Sequence, residues 1–291
     1  MSDWATELKR LGFDPRLTPA RQDLAAKSLE GRVVAARYAQ GTDKRVIVPQ
    51  TGLWRAPRTD AGLENELLMG ERFTVYEERE GWAWGQTLHD GYVGYLAADA
   101  LGPDNGPAAT HKVVTPRTLV FPVPDWKVTP LMALPREARV TVARDSGNGF
   151  SRLVSGEFVF EGHLAPLEAR AKSAADVALE FLGTPYLWGG RTSLGLDCSG
   201  LVQIAFAAIG VALPRDTDLQ AAVPAMGLRV EELRRDDLVF WDGHVGIMID
   251  TARIVHANAY HGKVEAESLA DAIARITPVA GAVTAFRRLV T

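Results

Sequence analysis

The stretch Gly183-Thr-Pro-Tyr-Leu-Trp-Gly-Gly190, followed by Asp197-Cys-Ser-Gly-Leu-Val202, decides how the second half of this chain folds. Apolar residues at helical spacing run from Cys198 to Ile209. Gly210 lies just past them, where a glycine often ends a helix. The pattern therefore predicts a helix that begins at Cys198.

The predicted helix start gives Cys198 a chemical role. Asp197 or a neighbouring residue is expected to cap the helix, and Cys198 would lie in its first turn. Free N–H groups and the positive end of the helix dipole stabilise a thiolate, and they can also donate to an oxyanion. We therefore expect the pKa of Cys198 to lie below the value of about 8.5 that a free thiol has. Cys198 is the candidate nucleophile.

A thiolate nucleophile needs a base, and the base needs a group that orients it. His244 opens the strand-like run Asp242-Gly-His-Val-Gly-Ile-Met-Ile249 and is the candidate base. His256, in Arg253-Ile-Val-His-Ala-Asn258, is the candidate orienting residue, although an ordinary sheet histidine is an equally good interpretation. The two histidines share a face only if the hairpin loop has an odd length, such as Thr251 to Arg253, or if a bulge intervenes.

Length and composition narrow the class of protein. The chain has 291 residues, enough for two or three domains, with 47% apolar and 23% charged residues. The net charge of −4 and the lack of a basic stripe argue against nucleic-acid binding. The first 15 residues do not resemble a secretory signal, and a single cysteine suits a reducing cytosol, so we expect a cytoplasmic protein without membrane association.

A weak repeat organises the first half of the chain. Three segments recur at nearly one offset: Leu53–Pro57 with Leu119–Pro124, Gly70–Val75 with Arg136–Val142, and Gly94–Leu96 with Gly162–Leu164. Short alternating strands with turn residues between them fit two small β-barrels. We therefore expect a lead over residues 1–45, barrels over 46–103 and 110–165, and a linker from Leu101 to Pro107.

The remaining elements complete the predicted architecture. The lead is expected to hold one short helical piece from Ala20 to Glu30, and a helix from Leu167 to Leu182 is expected to end at Gly183. Two β-rich runs follow, Leu238–Ile249 and Arg253–Ala259. Helices followed by an antiparallel sheet predict an α+β domain over residues 167–291.

These motifs carry a resemblance to a known family. The two motifs quoted at the start, Leu213-Pro-Arg-Asp216, Asp236-Asp-Leu-Val-Phe240 and Gly243-His-Val-Gly-Ile-Met, with a later Val-His-Ala, resemble the NlpC/P60 peptidases in order and spacing. The upstream repeats are similar to bacterial SH3 domains. The whole resembles the γ-D-glutamyl-L-diamino acid endopeptidases of the dipeptidyl-peptidase VI type. A papain-like α+β catalytic domain preceded by two SH3-like barrels is implied.

The resemblance implies roles for particular residues. Cys198 would attack, His244 would act as general base and acid, and His256 would orient it. The residues that match positions lining the substrate groove are Tyr186, Asp197, Ser199 and Thr217. The family often has serine at the last of these positions, and a threonine hydroxyl can donate in the same way. No cofactor is implied, and no metal-ligand spacing appears in the sequence.

The resemblance also implies a site for a free amine. Such enzymes hold the amino group of an L-Ala residue with an acid and a tyrosine from the first SH3-like domain, and Glu64 and Tyr92 are the nearest matches. Glu66 or Glu71 are alternatives for the acid, and Tyr95 for the aromatic residue. A buried carboxylate without its ammonium partner costs several kcal/mol, so blocked peptides would be rejected.

The expected function is hydrolysis of the γ-D-Glu–diamino acid bond in short murein peptides during recycling of wall peptides. The expected partners are therefore short peptides of the type L-Ala-γ-D-Glu-diamino acid, in a protein whose oligomeric state the sequence leaves open. Two alternatives stay open: an exported hydrolase of polymeric wall, and a peptide-binding module without turnover.

Overall fold

The computed structural model describes residues 3–289, apart from the side chains of residues 3 and 144–147. Within this range the α-helices are α1 Asp3–Arg10, α2 Ala174–Leu179, α3 Cys198–Ala208, α4 Thr217–Ala221 and α5 Leu269–Ala280. Short 3-10 helices span Lys27–Leu29, Ala98–Ala100, Glu161–His163 and Val230–Glu232. None of these helices is long and apolar enough to cross a bilayer.

The strands fall into three groups along the chain. Those before residue 110 are β1 Ala25–Ala26, β2 Tyr38–Ala39, β3 Thr42–Val46, β4 Gln50–Trp54, β5 Leu63–Leu68, β6 Arg72–Arg79, β7 Trp82–Thr87, β8 Val93–Ala97 and β9 Leu101–Pro103. Those from residue 110 to 166 are β10 His111–Val113, β11 Arg117–Phe121, β12 Met132–Pro135, β13 Arg139–Val140, β14 Val142–Gly147, β15 Phe150–Leu153, β16 Phe158–Phe160 and β17 Leu164–Pro166. The remainder are β18 Arg191–Thr192, β19 Gly195–Leu196, β20 Met226–Gly227, β21 Leu238–Trp241, β22 His244–Met248, β23 Arg253–Asn258, β24 Lys263–Ser268 and β25 Ala285–Arg288.

The chain divides into two compact units. One comprises residues up to 109 together with 138–140, and the other comprises 110–137 and the chain from 141 onward. The first contains an antiparallel sheet in the order β5-β4-β8-β7-β6-β3-β9. Its core is built from buried side chains of alternating strand positions, among them Leu53, Leu67, Phe73 and Leu96. The sheet starts at Thr42, four residues before the predicted boundary.

Two local predictions for this unit are wrong. The helical piece predicted from Ala20 to Glu30 is reduced to the 3-10 turn Lys27–Leu29, because the N–H groups of Ala25 and Ala26 donate to the carbonyls of Arg37 and Pro19 and not to a preceding helical turn. The predicted linker is also wrong at its start, since Leu101–Pro103 pairs with β3 as strand β9. In both places tertiary pairing outweighs local propensity.

The second unit begins with a further β-rich segment, residues 110–166. Strands β12-β11-β16-β15-β14 form an antiparallel sheet, and β10 pairs with β17. The buried side chains that fill it include Val120, Phe121, Phe150 and Val159.

The last segment is the predicted α+β arrangement. Its antiparallel sheet has the order β20-β25-β21-β22-β23-β24 and packs α5 through Val239, Met248, Ile254, Leu269 and Ile276. Helix α3 lies against β22 and β23 and is almost entirely buried. Helix α2 is shorter than predicted, because Ser173 caps it by accepting a hydrogen bond from the Asp176 N–H. The helix that begins at Cys198 is confirmed.

Candidate active site

The candidate nucleophile lies at the first residue of α3, where the sequence predicts it. The Asp197 side chain caps the helix by accepting from the Gly200 N–H at 2.7 Å. Cys198 is 7% exposed. Its sulfur lies 3.9 Å from the carbonyl oxygen of Gly243, the residue before His244. The fold therefore brings the sulfur to the strand that carries the candidate base.

The expectation of a lowered cysteine pKa is wrong. Burial, together with the negative charge of Asp197, raises the pKa of Cys198 to about 12. Hydrogen bonds from the backbone N–H groups of Val245 and Ser199 and the positive charge of Arg215 act in the opposite direction but are weaker. A thiol withdrawn from water keeps its proton, because desolvation penalises the charged form. A base must therefore remove that proton when the sulfur reacts.

The two candidate histidines are in direct contact. His244 Nε2 and His256 Nδ1 are 2.8 Å apart. Strands β22 and β23 form a hairpin whose last paired residues are Met248 and Ile254. The loop between this pair has five residues, an odd number, so His244 and His256 lie on the same face of the sheet and the predicted condition is met. A methyl group at Gly246 would lie 3.2 Å from the His256 Cβ, so the glycine leaves room beside this ring.

Both imidazoles are held in their neutral form. Burial and the neighbouring His256 and Arg275 lower the pKa of His244 to about 3, with Glu267 opposing. Burial, Arg275 and His261 lower the pKa of His256 to about 3. A neutral imidazole at the start of β22 and a protonated thiol that lies against the same strand end are the starting state for general-base catalysis.

Two residues of this chain of contacts were missed by sequence reasoning. His256 Nε2 is 2.7 Å from Glu267 Oε1, and the guanidinium of Arg275 on α5 donates to the same oxygen. A weak signal existed in the alternation of β24. Glu265 is paired opposite His256, and Glu267, two residues on, faces the same side of the sheet.

Asp197 and Ser199 form a buried network with a third residue that sequence reasoning did not single out. Arg215, 1% exposed, donates to both carboxylate oxygens of Asp197, at 2.9 and 2.5 Å, and to Ser199 Oγ at 2.8 Å. Gly189 N–H also donates to Asp197 at 2.8 Å. The sequence signal for Arg215 is the motif Leu213-Pro-Arg-Asp216, which is one of those that carry the family resemblance. These contacts fix the loop before Cys198.

The other two predicted groove residues are partly exposed. Burial, with Cys198 and Asp197 nearby, raises the pKa of Tyr186 to about 12, so its hydroxyl remains a donor. Thr217 begins α4, directly after Asp216. A contact of any of the four residues with substrate stays a prediction.

In the first unit, the structure distinguishes Glu64 from the two alternative acids, Glu66 and Glu71. The Tyr92 hydroxyl lies 3.5 Å from Glu64 Oε2, and Arg55 pairs with the same carboxylate. Glu66 and Glu71 are buried, and Glu71 accepts from the Leu68 N–H, which is a structural role. Glu64 and Tyr92 are thus in contact with each other, as the two-residue amine site requires.

One group of side chains among residues 3–289 has the composition of a metal site. Ligand atoms of His256, His261 and Glu267 lie within 4.8 Å of one another. The Arg275 guanidinium already donates to Glu267, and a second cation there would be repelled. The group is better described as part of the imidazole network.

Comparison with known proteins finds two family models that match the chain. Residues 53–101 match the model of the bacterial dipeptidyl-peptidase SH3 domain, and residues 183–277 match that of the NlpC/P60 family. The second range contains Cys198, His244 and His256.

Relatives match over most of the chain. A protein of Lysinibacillus sphaericus named dipeptidyl-peptidase 6 is 27% identical over 246 residues, covering 77% of this chain and 90% of that protein. A Bacillus subtilis protein named γ-D-glutamyl-L-lysine dipeptidyl-peptidase is 26% identical over 239 residues, covering 74% and 79%.

A solved structure shares the fold. The crystal structure of an NlpC/P60 family protein from Bacillus cereus superimposes with a TM-score of 0.73 at 18% identity, covering 86% of this chain and all of that one. The relatives, the two family models and the Cys-His-His arrangement together support a hydrolytic peptidase. The chain carries a bacterial dipeptidyl-peptidase SH3 domain followed by a peptidase domain of the NlpC/P60 family.

Proposed function

We propose that this protein hydrolyses the γ-D-Glu–diamino acid amide of short murein peptides that carry a free N-terminal L-Ala. The observation that carries the proposal is the position of the Cys198 sulfur, at the start of α3 and against the backbone beside His244, with His256 2.8 Å from the base. The names of the two relatives support the substrate class.

The reaction proceeds by acyl transfer. His244 takes the Cys198 proton as the sulfur attacks the amide carbonyl, and negative charge moves to the carbonyl oxygen. The first N–H groups of α3 and the Tyr186 hydroxyl are the donors for that oxygen. Protonated His244 gives its proton to the leaving amine, which leaves a thioester on Cys198. Water, deprotonated by His244, then hydrolyses the thioester and restores the thiol.

The free amine is assigned to Glu64, with Tyr92 beside it. An ammonium group would add a second charged donor to a carboxylate that already pairs with Arg55, whereas an acetylated nitrogen would supply no charge. We propose that the protein acts in the recycling of wall peptides in the cytoplasm, because selection for a free amine favours released peptides over intact wall.

The segment from residue 110 to 166 is, in this proposal, a second SH3-like domain that arose by duplication. The supporting observation is that its strands pair in the same sequence as those of the first domain. Order β12-β11-β16-β15-β14 corresponds to β5-β4-β8-β7-β6, and β10–β17 corresponds to β3–β9.

The experiment compares three substrates with the purified full-length protein: L-Ala-γ-D-Glu-diaminopimelate, its N-acetylated form and intact peptidoglycan. We expect release of diaminopimelate from the first peptide only, and its loss in Cys198→Ala. Equal cleavage of both peptides would refute the free-amine requirement. Clearing of intact wall would favour an exported hydrolase, and binding without turnover would favour a peptide-binding module.

A further inference from the structure

Two imidazoles and a carboxylate form a continuous line of hydrogen bonds that leads away from the candidate nucleophile. His244 Nε2 is 2.8 Å from His256 Nδ1, and His256 Nε2 is 2.7 Å from Glu267 Oε1. His256 is fully buried, so water cannot substitute for either partner. The three ring nitrogens other than His244 Nδ1 each have a hydrogen-bonding neighbour in this line.

The direction of these hydrogen bonds follows from their last member. An ionised carboxylate only accepts hydrogen bonds, so His256 Nε2 must carry a hydrogen. Since a neutral imidazole has one N–H, His256 Nδ1 is then an acceptor, and His244 Nε2 must donate to it. This leaves the lone pair of His244 on Nδ1, the nitrogen available to take the Cys198 proton.

The carboxylate itself is held as an acceptor. Arg275 donates to Glu267 Oε1, and a guanidinium has no acceptor with which to reverse that bond. The guanidinium in turn lies 4.4 Å from the ring centre of Tyr260. Because the Arg275 guanidinium and the His256 ring both approach Oε1, this oxygen is held as an acceptor directed toward His256.

We infer that Glu267 is a positioning residue that sets the tautomers of both histidines and so makes His244 Nδ1 the basic nitrogen. It does not touch substrate and acts only through His256. The inference rests on the proposed function, because it assigns a task in the hydrolysis carried out by Cys198.

The neighbouring acid on the same strand has a different environment. Glu265 is paired opposite His256 in the sheet, yet its side chain pairs with Lys263 at 2.8 Å. Glu265→Ala is therefore a matched control: it removes a carboxylate from the same strand face without removing the acceptor of His256.

The first test is kinetic. A histidine base contributes about 10²- to 10⁴-fold to rate, so loss of its correct tautomer in Glu267→Ala should lower kcat by about 10- to 100-fold with KM changed less than about twofold. Glu267→Asp, which keeps an acceptor, should restore part of the loss, and Glu265→Ala should retain wild-type kcat. A folded Glu267→Ala protein with kcat within about twofold of wild type would overturn the inference.

The second test requires neither substrate nor a variant of Glu267. Nitrogen-15 NMR of histidine-labelled wild-type protein, assigned by removing one histidine at a time, distinguishes protonated from unprotonated ring nitrogens. We expect a bare Nδ1 and a protonated Nε2 on both His244 and His256. A proton on Nδ1 of neutral His244 would overturn the inference. If the wild-type protein leaves murein peptides intact, the proposed function fails, while this measurement still tests the tautomers that the inference assigns to the two histidines.

Discussion

The guanidinium of Arg215 donates to both carboxylate oxygens of Asp197, the residue that caps the helix starting at Cys198. Both side chains are buried, with Arg215 only 1% exposed. A buried ion pair adds little to the free energy of unfolding, because both charges lose their hydration. Removing only one partner is strongly destabilising, since the other charge stays buried without compensation. The pair therefore couples the stability of the domain to the position of the nucleophile.

Arg215→Met should lower the free energy of unfolding by about 3–5 kcal/mol, because the Asp197 charge would remain buried without its guanidinium. Urea unfolding followed by circular dichroism measures the change. The control is Arg253→Met, which breaks an exposed pair with Asp250 and should cost less than about 1 kcal/mol. Equal losses in the two variants would contradict the proposed importance of the buried pair.

Gly200→Ala should displace the start of α3. A methyl group at this position would lie 2.2 Å from the carbonyl oxygen of Gly190, a backbone atom that cannot turn aside. We expect a loss of about 1–3 kcal/mol in the free energy of unfolding and a lower rate of peptide cleavage. Gly227→Ala, where the nearest neighbour is 3.5 Å away, is the control and should change neither quantity.

Alkylation of Cys198 should respond to pH as a buried thiol does. With its pKa raised to about 12, the thiolate fraction and the rate with iodoacetamide should rise about tenfold per pH unit between pH 7 and 10. Cys198 is the single cysteine, so labelling reports on this position alone. A short cysteine peptide, whose rate levels off above pH 9, is the reference. A rate already constant below pH 7 would show a resting thiolate and contradict the raised pKa.

His256 should make stability depend on acid pH. Its pKa is lowered to about 3 in the folded chain, against the ordinary histidine value of about 6.5, so below that pH the unfolded chain binds a proton that the folded chain does not. Stability should therefore fall as the pH falls from 6.5 towards 3, with His256 contributing about 1.4 kcal/mol per pH unit.

The measurement is urea unfolding of wild type and His256→Gln at pH 8 and at intervals down to pH 4. The difference at pH 8, where this histidine is neutral in both states, supplies the baseline. The variant should lose less stability on acidification than wild type. Parallel curves would show that His256 is protonated in the folded protein.

Glu64→Gln should weaken selection for a free amino group. Loss of a hydrogen bond to a charged partner costs about 1.5–3 kcal/mol, so kcat/KM for the free peptide should fall about 10- to 150-fold, while the N-acetylated peptide should lose far less. Glu80→Gln, an exposed acid of the same domain, is the control. A uniform loss on both peptides would remove Glu64 from amine recognition.

The sequence by itself was sufficient for the helix at Cys198 and the strands that carry His244 and His256, and it named Asp197 as one candidate for the cap. Each of these depends on short-range patterns: a capping side chain before an apolar period, a glycine after it, and alternation along two strands. The prediction of a helix from Ala20 to Glu30 was wrong because the structure of this segment depends on non-local hydrogen bonds. There the backbone is hydrogen-bonded to residues distant along the chain, which no local pattern reveals.

Only the tertiary structure decided which charged groups surround the site. Glu267 reaches His256 because β24 pairs with β23 in one register, and Arg215 reaches Asp197 across 18 residues of chain. The ionisation state of Cys198 was decided in the same way. The helix terminus that the sequence specifies favours a thiolate, but the depth at which the fold buries the sulfur outweighs it, because desolvation depends on every neighbour that excludes water.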